Sequence, residues 1–295
     1  MKALRRAALA LGLLLLVACV PKAIPPPLPP PPRPAKIAVV LGAGASRGFA
    51  HVGVLKVLEA QRVPIHLIVG TSSGSFVGSL SASGLDAYQI QKMALAIQKD
   101  DVVDLTIPDN GFVRGEKLEN FVNRAVQNCP LERLKIPFLA VATNVQPGEE
   151  TVFATGNTGK AVRASCSIPG IFQPVRIGEK TYVDGGVASP VAVDAARQAG
   201  AAVVIAVDIS AGVAGSLPQG ILETILQSID IMYAKISAAQ LRNADVVIRP
   251  RVNHIGSSDF DKRHEAILEG EKAASEALPR IQSILARLRQ EGRLP

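Results

Sequence analysis

Short apolar runs rich in Val and Ile alternate with stretches of helical periodicity along most of the chain, and this pattern restricts the fold more than any other feature. A strand with one wet face alternates apolar and polar residues. Runs such as Lys36–Leu41 and Val203–Val207 do not, so both of their faces must be covered. That is the situation of parallel strands joined by helical crossovers. Strands are predicted at Lys36–Leu41, His66–Val69, Phe138–Asn144, Thr181–Val183, Val203–Val207 and Asp245–Arg249, with Glu150–Ala154 pairing with Phe138–Asn144. Helices are predicted over Gly48–Gln61, Gly74–Ala82, Ala87–Gln98, Glu116–Gln127, Lys160–Cys166, Val191–Gln198, Ile221–Leu241 and Arg263–Arg289. Pro279 is expected to open a second segment within the last of these. The expectation is one α/β domain over 36–290, a mostly parallel central sheet with helices on both faces. The Gly-rich stretch Ala211–Gly220 reads as a surface loop or a mobile rim.

The N-terminus reads as an address. Met1–Arg6 is basic, and Ala7–Ala18 is apolar and uncharged. A bilayer span takes about 20 apolar residues, so this stretch fits the apolar core of a signal peptide. It ends in Leu16-Val17-Ala18-Cys19, which resembles the bacterial lipobox. The resemblance implies cleavage before Cys19, a diacylglyceryl thioether on its sulfur and an acylated new N-terminus. A plain secretory signal with an incidental cysteine is the alternative. Residues 1–18 are thus expected to be a lipoprotein signal peptide and 19–35 a proline-rich tether, semi-rigid at about 3.1 Å per residue. Val20 after the cysteine, where the sorting pattern would need Asp for inner-membrane retention, implies an envelope protein anchored in the outer membrane and facing the periplasm.

Composition removes some function classes. There is no Trp, aromatics are 4%, and Lys and Arg are scattered, so no nucleic-acid partner is expected. The formal charge of +7 includes Lys2, Arg5 and Arg6 of the leader. Beyond Cys19 only Cys129 and Cys166 remain, at a spacing that fits no metal motif; they read as a disulfide or as two buried thiols.

Three features fall at the carboxyl ends of strands, where such sheets build their sites. Gly70-Thr71-Ser72-Ser73-Gly74 runs from a strand into a helix. This is the G-x-S-x-G turn that exposes its central hydroxyl, with Gly70 and Gly74 allowing strand and helix to approach. A small-residue packing turn is the plainer reading. Gly42-Ala43-Gly44-Ala45-Ser46-Arg47-Gly48 follows the first strand, and a loop this small exposes N–H groups to a developing oxyanion. The rival dinucleotide loop should carry Gly where Arg47 stands. Arg47 either fixes the loop or meets a phosphate. Asp184-Gly185-Gly186 closes a strand; alone it reads as a hairpin turn, but beside an elbow serine its carboxylate supplies the missing base.

Together these segments resemble the patatin-like phospholipases. Leu41–Leu55 is similar to their glycine-rich opening, and Gly70–Gly74 to their nucleophile elbow. Ala164–Phe172 resembles their A-S-x-S-x-P-x-x-F segment, and Asp184-Gly185-Gly186 their acid box. The resemblance implies a Ser72–Asp184 dyad without histidine. It further implies an acyl-enzyme, and an oxyanion hole from the opening loop (Gly42, Ala43, Gly44, Ala45, Arg47, Gly48) and Ser73. Ala43 and Ala45 interrupt glycines common in the family, and either would be strained at positive φ.

The expected partners are a lipid or acyl-ester substrate and a membrane reached through lipidated Cys19; no cofactor or metal is expected. Two alternatives stand beside the phospholipase reading. A Ser–Asp–His triad fits the order of His254 or His264 after Asp184, with His254 the better rival, in a general carboxylesterase or thioesterase. A lipoprotein that binds lipid without turnover is the other. His51 reads as a packed core histidine.

Overall fold

A computed structural model describes residues 32–107, 110–210, 218 and 220–294. The chain divides into two units, Met1–Arg33 and Pro34–Pro295. The expected signal peptide, Cys19, most of the tether and most of the loop Ala211–Gly220 lie outside the described residues.

The second unit runs β1 (Ile37–Leu41), a 3-10 turn (Ala45–Gly48), α1 (Phe49–Ala60), β2 (Leu67–Thr71), α2 (Ser73–Ala82), α3 (Ala87–Ala96), α4 (Lys99–Val102) and α5 (Glu116–Ala125). It continues with β3 (Phe138–Asn144), β4 (Glu149–Phe153), α6 (Thr158–Ser165), β5 (Val175–Ile177), β6 (Lys180–Asp184), α7 (Val193–Gln198), β7 (Val203–Val207), α8 (Ile221–Gln240), β8 (Val246–Ile248) and α9 (Arg263–Gln290). The described strands form one sheet in the order β5-β6-β3-β2-β1-β7-β8, with β4 also paired to β3. The pairs from β3 through β8 along this path are parallel; β4, β5 and β6 are antiparallel additions.

Both faces of the parallel core are covered, as its unbroken apolar runs require. On one face Ile37, Val39 and Leu41 pack with Ile68 and Ile205 against Leu55, Leu80, Ile90, Val122 and Ile281 of five different helices. On the other, Ala38, Val40, Val69 and Val204 pack against Val193 and Ala196 of α7 and against Leu241. Glycines let α9 lie directly on α1: a Cβ on Gly53 would fall on the Ile267 carbonyl, and one on Gly270 on the Ala50 carbonyl.

One local arrangement decides where chemistry can occur. β4 takes one edge of β3, so β2 and β6 share the other. β2 runs parallel to β3 and ends at Thr71 opposite Val141; β6 runs antiparallel and ends at Asp184 opposite Ala142. The two strands therefore meet head-on at neighbouring register positions, and the residues that leave them, Ser72 and Asp184, face one another.

Boundaries differ from expectation at several points. The helix expected over Ala87–Gln98 ends at Ala96 and gives way to the short α4. The strand expected at Thr181–Val183 is half of a β5–β6 hairpin. Asp184-Gly185-Gly186 opens a 3-10 turn, Gly185–Val187, and is no hairpin turn. Pro279 does not divide the last helix, which is continuous from Arg263 to Gln290. A helical proline removes one i→i−4 bond. Here apolar residues are buried on both sides of it, Ala266 to Ala274 before and Ile281 to Leu288 after, and hold the two halves in line.

Candidate active site

β2 is buried throughout and delivers the chain to Ser72, which caps α2 at φ 55°, ψ −125°. A non-glycine residue in this region costs on the order of 1–3 kcal/mol, and the surroundings must impose it. They do so with hydrogen bonds. The Ser72 N–H donates to Ser165 Oγ (2.9 Å), which itself donates to the Val141 carbonyl (2.5 Å), while Ser75 Oγ donates to the Ser72 carbonyl (2.7 Å). Gly74 lies so close to β1 that a Cβ would fall on the Leu41 carbonyl, and a Cβ on Gly70 would sit 2.5 Å from Ser75 Cα.

Ser72 Oγ donates to Asp184 Oδ2 at 2.6 Å. The other carboxylate oxygen, Oδ1, accepts from the Gly186 N–H (2.7 Å) and from the Tyr233 hydroxyl (3.0 Å). The Asp184 N–H donates to the Ser167 carbonyl (2.8 Å), so residues two apart, Ser165 and Ser167, hold both members of the pair. Asp184 is wholly buried. Burial raises its pKa from 3.8 to about 6, against the lowering effect of the bonds from Ser72, Gly186 and Tyr233. Gly185 admits the close turn, since a Cβ there would meet the Val141 carbonyl; one on Gly186 would collide with the Tyr233 ring.

The opening loop divides in two. The N–H groups of Gly42, Ala43 and Arg47 donate to the carbonyls of Val207, Pro190 and Gly44, so these three amides, expected to face an oxyanion, are engaged inside the protein. Among the described residues no acceptor meets the N–H of Gly44, Ala45 or Ser73. Ser73 opens a helix, where first-turn amides lack intrahelical partners. Ala45 stands at φ 50° and Ala43 does not, so one of the two alanines carries the strain. Gly48 gives Ser73 room, since a Cβ would lie 2.5 Å from Ser73 Cβ.

Arg47 is engaged inside the protein. Its buried guanidinium forms a two-pronged ion pair with Asp230 of α8 (2.5 and 3.2 Å) and tethers the loop to that helix. His51 is fully buried and Nε2–H donates to the Gly42 carbonyl (2.8 Å); burial lowers its pKa to about 4, so it is neutral. His254 lies on the surface, half exposed, with Nε2 2.7 Å from Glu265. His264 is exposed. Cys166 and Cys129 are free thiols; burial and the neighbouring Asp184 push the Cys166 pKa up, so it stays protonated. Among the described residues no group of three or more His, Cys, Asp or Glu side chains is arranged to hold a metal ion.

A cavity of about 690 Å³ opens onto Ser72. Its lining is overwhelmingly apolar, with Phe76, Leu80, Met93, Phe121 and Ile171 along the walls. Leu105, Phe112 and Ile221 line it too and stand 76%, 51% and 83% exposed, so its mouth is an apolar rim.

Tyr233, Ser165 and Asp230 are missing from the sequence-level site. The A-S-x-S segment signals Ser165. Tyr233 and Asp230 sit on a helix far along the chain, and nothing but the fold brings them near Asp184 and Arg47.

The parallel sheet, the strained strand–serine–helix turn and the buried carboxylate at 2.6 Å define an α/β protein with a serine at a sharp strand-to-helix turn. Within that class the chain belongs to the patatin-like phospholipase family, whose model matches residues 39–197. It is 35% identical over 181 residues to mouse patatin-like phospholipase domain-containing protein 6, covering 59% of this chain and 13% of that protein. It is 28% identical over 292 residues to lysophospholipase NTE1 of Coccidioides immitis, covering 88% and 18%. With an NTE family protein of Mycobacterium tuberculosis it shares 30% identity over 280 residues, covering 85% and 48%. The chain thus spans less than half the length of each of these relatives. Among solved structures, VipD from Legionella pneumophila superposes with a TM-score of 0.57 at 13% identity, over 85% of this chain and 67% of that one, a likeness of fold.

Proposed function

We propose that the protein is a serine lipid-ester hydrolase of the phospholipase A or lysophospholipase kind, with Ser72 as nucleophile and Asp184 as general base. The observation that carries this reading is the 2.6 Å hydrogen bond from Ser72 Oγ to a buried carboxylate beside an apolar cavity of about 690 Å³. Ser72 Oγ attacks the ester carbonyl carbon as its proton passes to Asp184 Oδ2. The tetrahedral oxyanion meets the unengaged N–H groups of Gly44, Ala45 and Ser73. Collapse expels the alcohol, which takes the proton from Asp184 and leaves Ser72 acylated. Water then attacks the acyl-enzyme, again giving its proton to Asp184. Release of the fatty acid returns that proton to Ser72. A base with pKa about 6 is largely ionised at neutral pH yet a better proton acceptor than an ordinary Asp. The cavity walls suit an acyl chain, and the exposed rim suits a lipid surface.

The test is release of p-nitrophenol from esters of increasing chain length and of fatty acid from phosphatidylcholine and lysophosphatidylcholine vesicles. Wild type is expected to turn over acyl esters, and Ser72→Ala and Asp184→Asn to lose that turnover. A wild type inert on every ester would favour lipid binding without turnover. Loss of activity in His254→Ala would restore the triad, although that imidazole is bonded to Glu265 on the surface.

We also propose, from the lipobox-like sequence, that residues 1–18 are removed and Cys19 is lipidated, anchoring the domain to the cell envelope, in the outer membrane facing the periplasm, through the proline-rich tether. Incorporation of labelled palmitate that disappears in Cys19→Ser is the expected result; incorporation that survives the substitution contradicts it.

A further inference from the structure

Helix α8 reaches the active-site pair at one point. Tyr233, buried within it, places its hydroxyl 3.0 Å from Asp184 Oδ1. The geometry gives that hydroxyl a defined direction. An ionised carboxylate only accepts, so the phenol donates. Burial first, then the Asp184 charge, holds the Tyr233 pKa well above its usual value, so it remains a neutral donor. The contact is also sterically specific. The Tyr233 ring occupies the space that a side chain on residue 186 would need, and Gly186 supplies the second donor to the same oxygen. One carboxylate oxygen is thus filled by two donors that fix its rotation, and the other is left to Ser72. α8 is fixed in turn: Asp230, one turn before Tyr233, carries the Arg47 ion pair.

We propose that Tyr233 is a positioning residue that holds the Asp184 carboxylate in its charged form and aims Oδ2 at Ser72. This rests on the Ser72–Asp184 reading above. The other titratable groups facing the pair are the Cys166 thiol and, further off, Asp230 with its charge matched by Arg47. Neither bonds the Asp184 carboxylate, so the two Oδ1 donors and Ser72 set its orientation.

The experiment is the pH profile of kcat/KM on a soluble ester for wild type, Tyr233→Phe and a variant with 2,3-difluorotyrosine at position 233, with Ser72→Ala as reference. Phenylalanine keeps the ring over Gly186 and removes one donor to the charged carboxylate. Its acidic limb is expected to move up by about one pH unit, a roughly tenfold loss on the acid side. Difluorotyrosine keeps the shape and donates more strongly, so its limb is expected to move down. Limbs that coincide with wild type in both variants, with Ser72→Ala inactive, overturn the role of Tyr233 and leave the dyad standing. An active Ser72→Ala overturns the dyad and this inference with it. Melting temperatures of both Tyr233 variants identify a packing effect, which changes stability and leaves the limb unmoved.

Discussion

At the residue scale the site is a carboxylate held where water is not. Asp184 carries a pKa raised from 3.8 to about 6 by burial, and two consequences follow. In the proposed role of base it must be ionised, so kcat/KM is expected to rise with pH through about 6 and level above it, as a pH–rate profile will reveal. As a buried charge it costs stability. The folded state holds its proton more tightly than the unfolded chain between about pH 4 and 6, so stability falls as pH rises through that window. Above it the full cost stands, on the order of 3 kcal/mol. Asp184→Asn keeps an acceptor for Gly186 and Tyr233 and carries no charge. It is expected to be inactive yet to melt higher than wild type at pH 8, with the gap narrowing towards pH 4. A melting temperature at pH 8 below that of wild type would contradict this. Ala45 offers a second test. It stands at φ 50°, where glycine is unstrained, so Ala45→Gly is expected to stabilise the protein by up to about 1 kcal/mol in denaturant titration.

At the element scale, the meeting of β2 and β6 along one edge of β3 turns a sequence separation of 112 residues into one hydrogen bond. The identities of both partners are legible in the sequence, because a G-x-S-x-G between strand and helix and an acid at a strand end each have a local signature. The parallel strands are legible for the same reason: Ile37–Leu41 and Val203–Val207 are buried on both faces and carry no polar alternation. What lies hidden depends on tertiary contacts. The three-residue β5 is too short to leave a pattern, and Pro279 sits in a helix that packing holds together. The fate of each loop amide is equally invisible, since Gly42 and Ala43 lose theirs to carbonyls from Val207 and Pro190. Tyr233 belongs here too, because helical periodicity places it on α8 without saying what that helix touches. The docking of α8 is testable through Gly186. A Cβ there collides with the Tyr233 ring, so Gly186→Ala is expected to cost about 1–3 kcal/mol in a melt and to lower kcat. Unchanged stability would mean that α8 yields freely.

At the scale of the whole molecule, an apolar cavity of about 690 Å³ joins the buried pair to an exposed apolar rim. This couples substrate length to the fold. Filling part of the cavity with Ala94→Phe is expected to lower turnover of long-chain p-nitrophenyl esters more than that of butyrate, whereas a uniform loss on all chain lengths would mean that the acyl chain lies elsewhere. Every step of the proposed chemistry passes through one atom, Ser72 Oγ. Treatment with a fluorophosphonate, followed by peptide mass spectrometry, tests it most directly. One phosphonyl adduct is expected, on Ser72, absent from Ser72→Ala and forming far more slowly in Asp184→Asn. An adduct on another residue, or none on a folded wild type, would contradict it.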